Sequence, residues 1–371
     1  MKKIYTVISL GNYESKILSC TFIENQMFPI YVKSFLTKNC LDDSRIIDKE
    51  MLTKVLIKEI SNIPIDINDS KIIVNIPIKN IKIKHYLSSE YIVTADFTEK
   101  FWKDFLDKFI FESKEHDFVE IDKKFLLWNI EGKEFLSPPY GEKINNFSFK
   151  MKSYLVEKSI MNEYLDLFKE IFINIDAIVC DSLVMHQLFQ RKDRRFKVLL
   201  NIGHLVSSLE TYDNSVLIGQ KKINFGIRDL TLKISKIANI DEVKSIEILK
   251  IYKDLAPVNK ELPLVNHFKE KYLEYTQTKI QDISELIIKW LKDLISHINS
   301  YLKFLYSQSF DVDEIYIYSS TNILGTWTNY IKPRLLKFLD LICLESDVFG
   351  INESKFLSLI ASVIHYRNSN K

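Results

Sequence analysis

The hydrophobic pattern near the start of the chain is that of strands. Ile4–Leu10 is an almost unbroken run of β-branched and apolar residues, Gly11-Asn12 reads as a turn, and Ser15–Phe22 alternates. Pro29–Phe35 predicts a third strand. The period then changes: across Asp48–Ile60, Met51, Leu52, Val55, Leu56 and Ile60 fall on one helical face. Lys71–Ile76 returns as a β-branched strand, so this part of the chain predicts a meander, a helix and a returning strand. From Lys84 to Ser153 alternation breaks down, aromatic residues are dense, and Ser137–Gly141 makes a turn. Helices are expected over Asp96–Phe111 and Lys158–Phe172, strands over Asn146–Val156 and Ile175–Val179, and a short helix over Asp181–Gln190.

The opening pattern then recurs. Phe196–Ile202 predicts a strand, Gly203-His204 a turn, and Ser207–Tyr212 with Ser215–Ile218 the continuing meander. Laying Ser9-Leu10-Gly11 on Asn201-Ile202-Gly203 gives an offset of 192 residues and places Lys16 on Ser208. A strand, glycine turn and strand in each half suggest duplicated lobes. Leu230–Ile237 and Glu242–Tyr252 look helical. Ile280–Leu305 is a long amphipathic helix whose stripe of Ile283, Leu286, Ile287, Trp290, Leu294, Ile298, Tyr301 and Leu305 reads as core. Glu314–Tyr318 is a strand ending at Ser319-Ser320-Thr321, and Phe356–Tyr366 a final apolar helix.

Composition narrows the function classes. A chain of 371 residues suggests two domains or one large bilobed one. With 51 basic against 49 acidic residues there is no excess of positive charge to hold nucleic acid. No apolar run approaches the roughly 20 residues of a membrane span, and Met1–Ile4 leads straight into a strand, so a cleaved signal peptide is not expected. Cys20, Cys40, Cys180 and Cys343 form no C-x-x-C pair and read as buried thiols in a reducing cytosol. The seven histidines show no metal-binding spacing, so no metal site is expected. The basic run Arg191–Arg195 reads as a solvated junction or as a docking patch for an anionic surface. Only 8 glycines occur, so a phosphate-cradling site here would be built with few of them.

Several short segments, in order, resemble the motifs of FtsA, the actin-like bacterial cell-division protein. They are Ser9–Lys16, Ile46-Ile47-Asp48, Ile72–Ile78 followed by Ser88–Val93, Asn201–Ser208, Gly226–Lys233, Glu247–Lys250 and Tyr318–Thr321, and the resemblance spans Ile4 to Tyr366. It implies an α/β, actin-like fold of ribonuclease H-like duplicated lobes, bilobed, with an inserted FtsA-type 1C subdomain. The implied division is residues 1–84 and 161–195 for the first lobe, 85–160 for the insert, 196–350 for the second lobe and 351–371 for a helix returning to the first. By the same resemblance Gly11, Asn12, Lys16, Gly203, Ser207, Ser208, Gly226, Glu247, Lys250, Ser319, Ser320 and Thr321 would surround a nucleotide. Lys289, Lys292 and Lys303 would receive the acidic, apolar tail of FtsZ, the tubulin-like division protein. The implied place of work is the cytoplasmic side of the division site, with self-association into filaments open, and with the membrane reached through an anchor not seen in this chain or through a partner.

The motifs depart from the family where acids are needed. Ser9, Asn201 and Lys233 stand at three positions that are acidic in FtsA, and acids there hold hydrated magnesium. His204, Leu205, Ser319 and Ser320 put side chains where the family brings bare backbone to the ligand. The expectation is therefore no catalytic residue, no ATP hydrolysis, and ATP or ADP bound weakly or not at all. Each residue also has a plainer reading: Lys16 as an exposed strand lysine, Glu247 and Lys250 as a surface ion pair, Ser207 and Ser208 as ordinary strand residues, Gly11 and Gly203 as hairpin glycines, and the three lysines as solvated side chains. Two rival functions share the fold: a scaffold of the pilus protein PilM type, and an active ATPase of the sugar-kinase or chaperone type, which needs a carboxylate near the phosphates.

Overall fold

The structure is a computed structural model that describes residues 3–108, 116–189, 196–251, 263–266, 274–312, 314–319, 321, 324, 327–336, 339–344 and 354–369. The Arg191–Arg195 run lies outside them. In chain order the described elements begin with β1 (Ile4–Ser9), β2 (Glu14–Ile23), β3 (Gln26–Leu36), the two-residue strands β4 (Leu41–Asp42) and β5 (Arg45–Ile46), α1 (Lys49–Ser61) and β6 (Ser70–Asn75). α1 starts where the Asp48 carboxylate accepts the Met51 N–H at 2.9 Å, satisfying one of the amides a helix start leaves open. Next come β7 (Lys82–Leu87), β8 (Tyr91–Asp96), α2 (Glu99–Lys108), β9 (Phe118–Ile130), β10 (Lys133–Phe135), β11 (Lys143–Glu157) and α3 (Lys158–Glu170). The remainder is β12 (Ala177–Val179), α4 (Asp181–Val184), β13 (Phe196–Ile202), β14 (Ser207–Asp213), β15 (Val216–Ile223), α5 (Ile227–Ala238), α6 (Glu242–Ile251), β16 (Pro263–Asn266), β17 (Glu274–Lys279), α7 (Ile280–Ser307), β18 (Glu314–Ser319), α8 (Trp327–Ile331), β19 (Asp340–Cys343) and α9 (Leu357–Ser369).

These elements form two compact units, one of residues Met1–Lys79 with Phe168–Lys371, the other Asn80–Leu167. The larger unit holds two five-stranded sheets of one design. The first runs β12-β6-β1-β2-β3 and the second β19-β18-β13-β14-β15. In each, the opening strand has an antiparallel meander on one side and parallel strands on the other. The register repeats too: Ser9 lies opposite Lys16 as Asn201 lies opposite Ser208, which is the 192-residue offset seen in the sequence. β1, β13 and β18 are buried along nearly their whole length, and this is why they read as continuous apolar runs.

α7 anchors the second half of this unit. Ile283, Ile287, Trp290, Leu294, Ile298, Tyr301 and Leu305 are buried together with residues of β13, β18, α5 and α8, while Leu286 packs half-buried at the edge. Lys289, Lys292 and Lys303 face solvent. Among the described residues no helix is long and apolar enough to cross a membrane, and none of the four cysteines forms a disulfide.

The smaller unit is a sheet in the order β10-β9-β11-β7, with β8 also on β11. Phe97, Trp102, Trp128, Phe147 and Phe149 pack as a stacked and edge-on aromatic core between this sheet and α2. The unit is wider than residues 85–160, because β7 pairs with β11 from Lys82 onward. The helix expected at Asp96–Phe111 begins later, at Glu99, since Asp96 still belongs to β8.

Candidate functional site

In open α/β sheets, ligand crevices lie beyond the carboxyl ends of the parallel strands. Both sheets of the larger unit end at one recess. Ser9 ends β1, Asn75 ends β6, Asp181 follows β12, Asn201 lies near the end of β13, and Thr321 follows β18; all five line it. Gly11 and Gly203 line it as well, so the two glycine turns face one shared cleft. Both turns are too tight for a side chain: a Cβ on Gly11 would lie 2.5 Å from the Glu14 carbonyl oxygen, and one on Gly203 2.3 Å from that of Val206. Open solvent included, the recess measures about 640 Å³.

The first turn is tied down by Ser15, whose hydroxyl accepts the Gly11 N–H at 3.2 Å, and by Thr37, whose hydroxyl donates to the Gly11 carbonyl at 2.7 Å. The second is docked on the start of α5, where the Ile227 and Arg228 amides donate to the carbonyls of Gly203 and His204. Those helix-end amides are spent on the protein itself.

The charged groups of the cleft are Lys16, Lys79, Asp181 and Glu14. Lys16 is only 4% exposed, so it is not the solvated strand lysine of the plainer reading. Among the described residues its ammonium makes no hydrogen bond or close ion pair. Burial holds its pKa below the ordinary lysine value, with Glu14 and Asp181 acting against that through space. Lys79 is 7% exposed and approaches Asp181 Oδ2 at 3.7 Å, too far for a hydrogen bond. The carboxylate of Asp181 is held by two amides, Asn75 Nδ2 at 2.9 Å and Asn201 Nδ2 at 3.3 Å. Glu14 lies 3.5 Å from Lys355.

Among the lining residues, the rings of Tyr13 and His204 meet with centroids 4.6 Å apart. Behind them Glu242 takes Lys38 at 2.8 Å, with His204 Nε2 at 3.3 Å and Arg228 at 3.5 Å. The His204 contact is close but not a hydrogen bond by geometry, since Glu242 Oε1 has no hydrogen-bond partner among the described residues, and it becomes an ion pair only if the imidazole is protonated. Burial pulls the His204 pKa down to about 4, against the pull of Glu242. The unfolded chain takes up this proton near pH 6.5 and the folded chain only near pH 4. Stability is therefore expected to fall as pH drops through that window, by up to about 3 kcal/mol. Melting curves of the protein and of His204→Gln should diverge between pH 6.5 and 4; parallel curves would show that His204 is not held neutral.

The remaining positions named from the sequence divide. Asn12 lines the recess with Gly11, Lys16, Gly203 and Thr321. Ser207 and Ser208 are fully buried and turn their hydroxyls away, to the Phe225 carbonyl and to Glu210. Ser319 sits behind Thr321, hydroxyl to hydroxyl at 3.0 Å, and Gly226 lies buried under the second turn. Glu247 and Lys250 are exposed on α6, and Ser320 is outside the described residues. Lys233 is exposed on α5 and does not line the cleft, whereas Ser9 and Asn201 do. Asp181, Asn75, Lys79 and Glu14 were not picked out from the sequence. Asp181 and Asn75 carry a signal only once the parallel strands are identified, because each stands at or just past such a strand's end.

No family model matches the sequence, and no curated protein matches it either. Solved structures match it in fold. The PilM–PilN type IV pilus biogenesis complex matches at 12% identity with a TM-score of 0.63, covering 98% of both chains. MreB 5 of Spiroplasma citri bound to AMPPNP matches at 9% identity and 0.58, covering 100% of this chain and 98% of that one. The ethanolamine utilization protein EutJ from Carboxydothermus hydrogenoformans matches at 8% and 0.55, covering 98% and 90%. The fold is actin-like. At these identities the likeness shows the fold alone.

Proposed function

We propose that the chain is an actin-fold adaptor that acts by holding a partner protein and does not turn over ATP. The observation carrying this reading is the neutral lining of the strand ends: Ser9, Asn75 and Asn201 face the recess, and the one carboxylate among them, Asp181, is bound by the two amides. Among the described residues no three acids, histidines or cysteines are grouped to hold a metal ion. Phosphate release from ATP is expected at background.

The first partner reading is the tail of FtsZ, in a cytoplasmic division adaptor. The exposed Lys289, Lys292 and Lys303 of α7 form a basic strip suited to an acidic, apolar peptide. The double variant Lys289→Glu, Lys292→Glu should weaken binding of an FtsZ tail peptide at least about tenfold. Unchanged affinity in a folded double variant excludes this face. The whole-length likeness to the PilM of a PilM–PilN complex favours a second reading, a scaffold of a pilus or secretion machine. Absence of any FtsZ binding, with retention of a pilus or secretion component in pull-downs, selects it.

A further inference from the structure

We propose that Lys16 is a covalent modification site, whose side-chain amine takes up carbon dioxide and is carried as a carbamate received by the ammonium group of Lys79. The inference goes beyond the adaptor reading and does not depend on which protein docks elsewhere.

Three observations carry it. Lys16 is 4% exposed, lines the recess, and makes no hydrogen bond or close ion pair among the described residues. An ammonium buried in that way is costly, and shedding the proton removes the cost. Secondly, the groups around it do not restore the charge. Burial lowers its pKa most; Glu14 and Asp181 pull it up through space, while Lys355 and Lys250 push it down. Both acids are engaged elsewhere, Glu14 3.5 Å from Lys355 and Asp181 on the amides of Asn75 and Asn201. The ladder neighbours of Lys16, Ser9 on β1 and Ser34 on β3, bring hydroxyls and no charge. Thirdly, Lys79 lines the same recess, is 7% exposed, and has no hydrogen bond to its ammonium among the described residues, so its N–H groups are unspent. A desolvated, neutral lysine is a nucleophile, and an anion formed on it meets a buried donor.

Carbon dioxide suits these groups because it needs no leaving group and its adduct is an anion. The lone pair of the neutral amine forms the N–C bond as one C=O pair moves onto oxygen, and the surplus proton on nitrogen goes to water. One amine and one carbon dioxide give one carbamate and one proton, with nothing oxidised or reduced. An acyl donor would instead leave a neutral amide and give Lys79 no anion to meet. The test is carbon-13 NMR of the full chain in labelled bicarbonate at neutral pH, followed by trapping of carbamates with a trialkyloxonium salt and peptide mass mapping. The expected result is a trapped carbamate on the Lys16 peptide and on the chain's α-amino group, a class of amine that titrates near neutrality, and on no exposed lysine. Lys16→Arg should remove the first and keep the second. Lys79→Met should weaken uptake at Lys16 about tenfold or more, as loss of one charge-assisted hydrogen bond requires. No carbamate on Lys16 in the folded chain, equal labelling of the exposed Lys289 and Lys292, or undiminished uptake at Lys16 in Lys79→Met would each overturn it. If neither variant folds, mapping of the unaltered chain decides, because it places the adduct without any substitution.

Discussion

Replacing Trp290 by alanine is expected to cost about 4 kcal/mol and to lower the melting temperature by roughly 8–16 °C. The indole is fully buried in the middle of α7, stacks on Phe225 at 5.0 Å, meets Trp327 at 5.4 Å, and donates its N–H to the Gly226 carbonyl at 3.1 Å. Alanine removes the ring, leaves a cavity the surrounding helices can only partly close, and strands a buried carbonyl. Phe304 on the same helix, 55% exposed, supplies the comparison: Phe304→Ala should change stability by no more than about 0.5 kcal/mol. Equal losses for the two variants in thermal or urea unfolding would mean that α7 does not present the face described.

Gly226→Ala comes next in size, with an expected loss of about 3 kcal/mol. A Cβ there would lie 2.2 Å from the His204 carbonyl oxygen and 2.7 Å from its carbon, and 2.6 Å from the Leu205 carbonyl carbon. These are backbone atoms of the second glycine turn, which cannot rotate away as a side chain would. The substitution must push either that turn or the start of α5, and the turn carries His204, which lines the recess. Gly219→Ala is the control, because its nearest neighbour is the Tyr301 hydroxyl at 3.5 Å, an ordinary contact; unfolding should shift by less than about 0.5 kcal/mol. Similar shifts for the two glycines would show that the turn is slack. Because Trp290 and Gly226 share a hydrogen bond, their variants should not add.

The repeated sheet was legible because its strands are central. A strand buried on both faces shows as an apolar run whatever its neighbours do, and two such runs with glycine turns 192 residues apart marked the duplication. β9 was missed for the opposite reason. Its ladder with β11 shifts register between Lys150 and Met151 and again between Tyr154 and Leu155, so the two-residue period on which strand reading depends is broken twice. At the cleft, glycine turns announce themselves in sequence, whereas Asp181 and Lys79 do not. Asp181 follows a strand of only three residues, and Lys79 comes after Pro77 in a segment without regular structure. Their meeting is a product of the parallel pairing of β6 with β12. The serines show the converse error: the resemblance implied that Ser207 and Ser208 face a ligand, while their hydroxyls go to the Phe225 carbonyl and to Glu210, as in the plainer reading of ordinary strand residues.

One hydrogen bond joins residues 287 positions apart: Asn75, at the end of β6, donates to the hydroxyl of Ser362 on α9 at 3.1 Å. α9 packs on β1, β2, β6 and α4, so the helix that follows every other described element completes the sheet that begins the chain. During synthesis, that sheet emerges from the ribosome hundreds of residues before its covering helix. Its apolar surface must wait, open to wrong partners and to chaperones, while the second half is made. The half that is translated first is the half that matures last.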